Sequence, residues 1–364
     1  MHGAKYMGEQ HRGGQHRGEQ HKVGCACLQD SNALGESRLM SYKVILEESI
    51  MQKGIPATAG SKMLENFISP IGATVVTRLE SAGAQIVGRA DMDEFGVSGL
   101  FGTEMLTEAV SAVANGKADF ALCNDYTGAT GRAAAAQGVC YIHPTYGTVS
   151  RYGLIPAVIS MDQIGIICKT PAEGFKALKI IAGYDPKDGT MPSAETTVNE
   201  KSAKGFEFAE YESKYSGIFT QIMQILCCAE FGNNISRYDG IKYGYRAEEY
   251  RGLQELYTKS RTEAFGADVK LAAMIGAMVL SQENYTRYYD KAMRLRRLIR
   301  DELRQRDRSS GLIKLYSEKE PACLALSRLC GLPAVATPGC TYIADAGRED
   351  ILEAFTAQST ATAP

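Results

Sequence analysis

The chain has 364 residues, 45% of them hydrophobic and 23% charged, which is enough apolar material for a folded core and excludes wholesale disorder. Forty lysines and arginines against forty-two aspartates and glutamates leave a net charge of −2, so no whole-protein electrostatic case exists for a nucleic-acid or membrane partner. No apolar run approaches the roughly 18 residues that span a bilayer, the best being Ala272 to Leu280, and no secretory pattern opens the chain, so a cytoplasmic protein with reduced cysteines is expected.

Residues 1–40 read as a disordered low-complexity tail. Within it, GEQHRGGQHRGEQHK (8–22) repeats every five residues with His11, His16 and His21 in register and no apolar period, so it can bury nothing. Cys25 and Cys27 follow these histidines, but a single-residue gap without a folded surround is not a closed zinc pattern, and no metal is expected. A single domain is predicted over 41–345, with a C-terminal tail over 346–364. Most other cysteines lie in apolar runs such as 224–229 and read as small buried hydrophobes.

From about residue 40 the pattern alternates. Val75, Val76 and Leu79 share a face of a predicted helix over 73–79, and Gln85–Gly88 reads as a short buried strand. A small-residue helix over 107–115 is ended by Gly116, and Ala118–Cys123 is a second buried strand that runs into the turn-rich stretch 124–131. This is α/β rhythm, in which sites form after strand ends. Long helical periods follow at 246–261, 268–280 and 284–303. The segment 287–308 carries nine basic against four acidic residues, with Tyr288, Ala292, Leu295, Ile299 and Leu303 as its apolar face; a solvated face is preferred there over a tRNA-facing patch.

Five blocks, GIPATAGSKMLENF (54–67), GATVVTRLESAGAQIVGRADMDEF (72–95), HPTYGTVSRYGLIPAVISMDQIG (143–165), SRYDGIKYGYR (236–246) and SRTEAFGADVK (260–270), with a weaker GLPAVATPG (331–339), occur in order along the chain. Together they resemble the amidase signature family, and most closely its branch of glutamyl-tRNA(Gln)/aspartyl-tRNA(Asn) amidotransferase A subunits. The resemblance implies an α/β fold with a mixed sheet flanked by helices. It also implies some missing family elements, since the regions at about 194–220 and before Gly116 are shortened. It implies no cofactor.

Family chemistry uses a serine nucleophile, a bridging serine and a lysine kept neutral by burial, which disfavours the ammonium. Counting back without gaps from Lys53-Gly-Ile55 puts the lysine position at Glu47; Lys43 lies four strand residues away, about 13 Å, and cannot substitute. Counting back from Pro144-Thr-Tyr-Gly147 puts the nucleophile at Ala129, within the turn Thr127, Gly128, Ala129, Thr130, Gly131. Thr127 and Thr130 carry hydroxyls but no adjacent base activates them, and a one-residue shift in an extended segment would turn either side chain away. Thr127 also replaces a glycine of the turn whose amides would hold an oxyanion, and Arg132 stands one place from the family arginine. The bridging serine maps to the Met105–Leu106 region, where no serine remains. The family's pocket-shaping KRRIM segment reads Lys270 to Met274 here. No triad member is intact.

Asp91, Asp93 and Glu94 coincide with a family segment that binds no metal and read as a structural carboxylate cluster. His143 reads as a hydrogen-bonded structural histidine. The expected protein is therefore a catalytically inactive relative with a binding or scaffold role, the alternatives being a decayed gene copy and an active, glutamine-hydrolysing amidotransferase chain. The resemblance implies B and C subunits as partners, or self-association, with tRNA contacted only indirectly and no membrane. Arg237, Tyr238, Tyr243, Tyr245 and Arg246 have the composition of interface anchors.

Overall fold

The computed structural model describes residues 39, 41–102, 108–192, 208–211, 213–305, 311–316 and 323–361. The His-rich repeat with Cys25 and Cys27, and the Met105–Leu106 region, fall outside the described residues. In chain order the strands are β1 (Lys43–Glu47), β2 (Gln85–Ala90), β3 (Phe120–Asn124), β4 (Cys140–His143), β5 (Ile164–Cys168), β6 (Phe208–Glu210), β7 (Leu312–Tyr316), β8 (Ala334–Thr337) and β9 (Cys340–Ala344). The helices are α1 (Thr74–Ser81), α2 (Glu108–Ala114), α3 (Ala129–Ala136), α4 (Pro171–Ile181), α5 (Phe219–Asn234), α6 (Leu253–Ala264), α7 (Ala267–Leu280), α8 (Lys291–Gln305), α9 (Cys323–Cys330) and α10 (Glu349–Ala361).

Among the described residues nine strands form one mixed sheet in the order β2-β1-β3-β5-β4-β8-β9-β7-β6. β1, β2 and β3 run parallel, and β5, β4, β8 and β9 pair antiparallel. The central strands β3 (FALCN) and β5 (IGIIC) are buried at every residue, which is why they read as continuous apolar runs rather than alternations. β2 differs from the expected buried strand: it is the sheet edge, with Gln85 and Val87 exposed.

Two apolar clusters cover the two faces of the sheet. One joins Val75, Val76 and Leu79 of α1 to Phe175 and Leu178 of α4 and Ile351 and Leu352 of α10. The other joins Val110 of α2, Leu226 of α5, Val269 of α7, Ile299 of α8 and Leu326 of α9. α4 is fixed at its start by a reciprocal Thr170–Glu173 capping box with Pro171 in the first turn.

Three elements depart from the sequence reading. Residues 349–361 are the helix α10 with Ile351 and Leu352 buried, so this part of the expected tail packs on the body. The helix expected from 246 begins at Leu253, where the Glu255 carboxylate accepts from the Arg251 amide (2.7 Å) and so satisfies the first turn. The period over 284–303 is interrupted by a π turn at Thr286–Asp290 ahead of α8. Among the described residues no helix is long and apolar enough to cross a membrane.

Candidate functional site

β1 lies between β2 and β3, both parallel to it; the chain passes from β1 to β2 through α1, in one apolar cluster, and then past β1 to β3 through α2, in the other. A crevice opens at the carboxyl ends of strands at such a reversal. The register Leu46↔Leu122 brings Glu47, the last residue of β1, beside Asn124, the last of β3, and α3 starts five residues later. The cavity here is about 20 Å³, room for roughly one water, and is lined by Glu47, Asp93, Asn124, Asp125, Thr127 and Thr130 among others. The structure thus brings together the two positions that the sequence placed apart at 47 and 127–130. No lysine, serine, cysteine or histidine lines the cavity among the described residues.

Glu47 is 7% exposed. Its Oε1 accepts from the Ser49 hydroxyl (2.5 Å) and from the Asn124 amide (3.3 Å). Burial, against these hydrogen bonds and with Asp93 and Asp125 adding repulsion, pushes its carboxyl up to about 8. The group is a neutral acid at pH 7.

The turn after β3 is not extended. It bends at Gly128, whose φ of +80° puts it in the left-handed region and whose missing Cβ leaves room for Leu324 of α9, and Ala129 opens α3. Ala129 and Thr130 are therefore helical neighbours, and strand alternation does not set their directions as the sequence reading assumed. The Thr127 hydroxyl accepts from the Ala129 amide (3.2 Å) and donates to Asp125 Oδ1 (3.3 Å), while Asp125 Oδ2 accepts from the Gly131 amide (3.0 Å). These two side chains cap the first turn of α3.

Asp125 is also the anchor of a buried ion pair that the sequence did not reveal. Arg328 of α9, 1% exposed, donates from Nη2 to Asp125 Oδ2 (2.9 Å), from Nε to the Asp125 carbonyl (3.1 Å) and from Nη1 to the Ser327 hydroxyl (2.8 Å). Its guanidinium carbon lies 5.5 Å from the centre of the Tyr141 ring. The partners are 203 residues apart, and the one signal for them was a lone arginine in the apolar run CLALSRLC.

The remaining candidates do other work, Asp93 from the wall of the same cavity. Asp93 accepts from the Ser98 amide (3.0 Å), and Glu94 accepts from the Ser61 hydroxyl (2.5 Å) and the Gly266 amide (2.7 Å), so these carboxylates hold loops together. Among the described residues no group of three or more His, Cys, Asp or Glu could hold a metal ion. His143 is buried and stacks on Tyr141 at 6.4 Å, but its Nδ1 finds no hydrogen-bond partner, unlike the bonded histidine expected. Burial, with help from Arg328, holds it well below its usual value and therefore neutral. Tyr238 is 5% exposed and stacked on Phe95, which places it in the core, whereas Tyr243 is 44% exposed, Tyr245 is half-buried and donates to Glu263, and Arg246 is exposed against Tyr250. Arg237 folds back onto Asn234. In the basic helix, Arg294, Arg297 and Arg304 are exposed, and Arg296 turns inward to the Leu329 carbonyl (2.6 Å).

The family profile described as Amidase matches residues 34–105, 109–207 and 192–308. The glutamyl-tRNA(Gln) amidotransferase A chain of Lachnoclostridium phytofermentans is 34% identical over 325 residues, covering 74% of this chain and 66% of that protein. The chain thus spans just under two thirds of that relative's length. The same-named protein of Coxiella burnetii is 33% identical over 379 residues, covering 84% of this chain and 78% of its own. Among solved structures, the glutamyl-tRNA(Gln) amidotransferase A chain of Thermotoga maritima superposes with a TM-score of 0.59 at 25% identity, over 86% of this chain and 81% of that one. A 6-aminohexanoate cyclic dimer hydrolase, at 15% identity, shares the fold with a TM-score of 0.67 over 89% of this chain and 86% of its own. With its profile match covering most of its length and its mixed sheet that of these neighbours, the chain belongs to the amidase family.

Proposed function

We propose that the protein keeps the amidase architecture without amide-hydrolysing chemistry and serves as a cytoplasmic binding or scaffold partner of amidotransferase B- and C-type subunits, meeting tRNA only through them. The carrying observation is that Glu47, a neutral acid at the lysine position, lines a cavity of about 20 Å³ whose lining hydroxyls, among the described residues, are those of Thr127 and Thr130, while the nucleophile position is Ala129 at the start of α3. A space for one water cannot admit a carboxamide, and a protonated Glu47 can donate a proton but cannot withdraw one from a hydroxyl. Thr127 is committed to its own turn, and of the carboxylates that share the cavity with Thr130, Asp93 is engaged by the Ser98 amide and Asp125 by Arg328. The similarity to amidotransferase A subunits supports the choice of partner.

The test is ammonia release from glutamine and from small amides by the purified chain, alone and with B and C subunits. Release should equal the protein-free blank. Turnover that disappears in Thr130→Ala would overturn the reading and restore that of an active amidotransferase chain. The double variant Glu47→Lys with Ala129→Ser should remain inert, because the turn glycine is still Thr127 and no serine stands in the Met105–Leu106 region.

A further inference from the structure

α8 carries six basic against two acidic residues in a chain whose net charge is −2, so cationic charge is concentrated on one helix. Ala292, Ile299 and Leu303 bury one face, and Lys291, Arg294, Arg297, Arg300 and Arg304 stand exposed on the other. A helix face kept only for solubility gains from opposite charges three and four residues apart. Here Arg296, Arg300 and Arg304 follow one another at intervals of four and Arg297 stands three before Arg300, so like charges are neighbours along the row.

Little within the chain neutralises this row. Arg297 and Arg304 share one acid, Asp301, at 3.7 Å and 3.8 Å, both longer than a hydrogen bond. The other acid of α8, Glu302, accepts from the Tyr211 hydroxyl (2.8 Å) instead. Among the described residues the Arg300 guanidinium has neither an ion pair nor a hydrogen bond. Arg296 donates from Nε to the Leu329 carbonyl at the end of α9 (2.6 Å), and the row gathers around the next residue: burial pushes the Cys330 thiol up to about 12, while Arg300, Arg296 and Arg304 all act on it in the opposite direction. From Arg296 to Arg304 the row is about 12 Å long. Met293, three residues before Arg296, is 42% exposed.

We propose that this arginine row is the docking site of an acidic helical segment of a protein partner, with carboxylates four residues apart on Arg300 and Arg304 and an apolar side chain over Met293. Two helices share the same four-residue rise, so a row of carboxylates can meet a row of guanidinium forks in register, and each fork can bind a carboxylate through two parallel hydrogen bonds. Arginine and methionine are also the residues enriched at protein interfaces, where lysine is depleted. A single-stranded RNA fits less well, because it needs free aromatic platforms for its bases. The tyrosines that precede α8 are engaged within the chain: Tyr285 lies 5.3 Å from Tyr289, and Arg287 covers Tyr288 at 5.3 Å. The site shares no residue with Tyr243 and Arg246, so its failure would leave the proposed association through those anchors standing.

The experiment titrates the full chain with a fluorescein-labelled helical peptide of about 20 residues, carrying glutamate at four-residue intervals beside a leucine stripe, in about 0.15 M salt. Fluorescence anisotropy should show saturable binding with a dissociation constant on the order of 10 µM. Arg300→Glu and Arg304→Glu should each weaken it at least about tenfold, and Met293→Ala about threefold. Lys117→Glu, an exposed cation elsewhere, should leave it unchanged. A peptide of the same composition in scrambled order should bind at least about tenfold more weakly, because its carboxylates and leucines no longer share a face. All four substituted side chains are exposed, so thermal melts should match the wild type and report folding separately. Absence of saturation, equal binding of the scrambled peptide, or undiminished binding by both arginine variants would each overturn the proposal. An oligouridylate of about 20 nucleotides binding more tightly than the peptide would overturn it in favour of a nucleic-acid surface.

Discussion

Glu47 holds a proton at neutral pH because burial outweighs its two hydrogen bonds, and that makes it a stability element whose sign can be worked out. Its carboxyl is raised from 4.5 in the unfolded chain to about 8 in the fold, so between those values the native state binds more protons than the unfolded state. Stability from this group is therefore fully present below about pH 4.5 and is lost as pH rises through about 8, by up to about 5 kcal/mol. Gln at this position can still accept from Ser49 and Asn124, so Glu47→Gln should flatten that part of the pH–stability curve and be the more stable protein at about pH 9. Urea midpoints that decline with pH identically in both proteins would sink this account. At Asp125 the charge is compensated by Arg328 instead, and removing one partner of so buried a pair should cost about 3–5 kcal/mol. Arg328→Met should show that loss in a denaturant melt, and Arg328→Met with Asp125→Asn should regain much of it; a single variant within about 1 kcal/mol of the wild type would show that the pair does not hold α9 to the turn. Glu47 and Ala129 were singled out in the sequence because each lies a short ungapped count from a distinctive block; that they hold the family's lysine and nucleophile positions is part of the proposal. Arg328 was not, because its partner lies 203 residues away and no local pattern encodes a contact at that separation.

Among the elements, those with a clear period or a continuous apolar run were readable: α1, α7 and β3 stand within a few residues of their predicted bounds. The sheet order was not readable, because β8 reaches β4 only through a pairing such as Tyr141 with Ala336, about 195 residues apart, and β9 joins the sheet through β8. α10 was missed for a related reason: its burial depends on α4 and β9, not on a strong period of its own. Packing between α5 and α7 also rests on a detail smaller than any pattern. A Cβ on Gly276 would lie 2.2 Å from the Cys228 carbonyl oxygen, which belongs to the facing helix backbone and cannot rotate away. Gly276→Ala should therefore destabilise the protein by about 2 kcal/mol or more despite the usual gain in helix propensity, because overpacking forces the helices apart. Gly217→Ala, with nothing within 4 Å of the added atom, is the control. Equal melting of the two variants would mean that the helix pair yields freely.

At the scale of the whole molecule, the proposed scaffold role requires a surface that can hold a partner independently of the site. Catalytic groups and interface anchors are energetically separate, since a few buried aromatic and arginine contacts carry most of an interface. The stretch from 241 to 257 exposes such residues together: Tyr243, Arg246 stacked on Tyr250 at 5.2 Å, and Tyr257, which is 37% exposed. Tyr238 has left this set for the core, so the anchors to test are Tyr243 and Arg246. The expected outcome is co-purification of the full chain with amidotransferase B and C subunits at moderate salt. Tyr243→Ala and Arg246→Ala should each weaken that association by about tenfold or more, with unchanged melting temperatures because both side chains are exposed. Moderate salt matters because α8 presents several exposed arginines that could retain acidic proteins nonspecifically, and about 0.15 M salt screens such contacts beyond roughly 8 Å. If the wild-type chain elutes as a lone monomer with both subunits present, the scaffold function fails. A cooperative melt in that same preparation would then separate a folded protein with another partner from a decayed copy, which should unfold without a single transition.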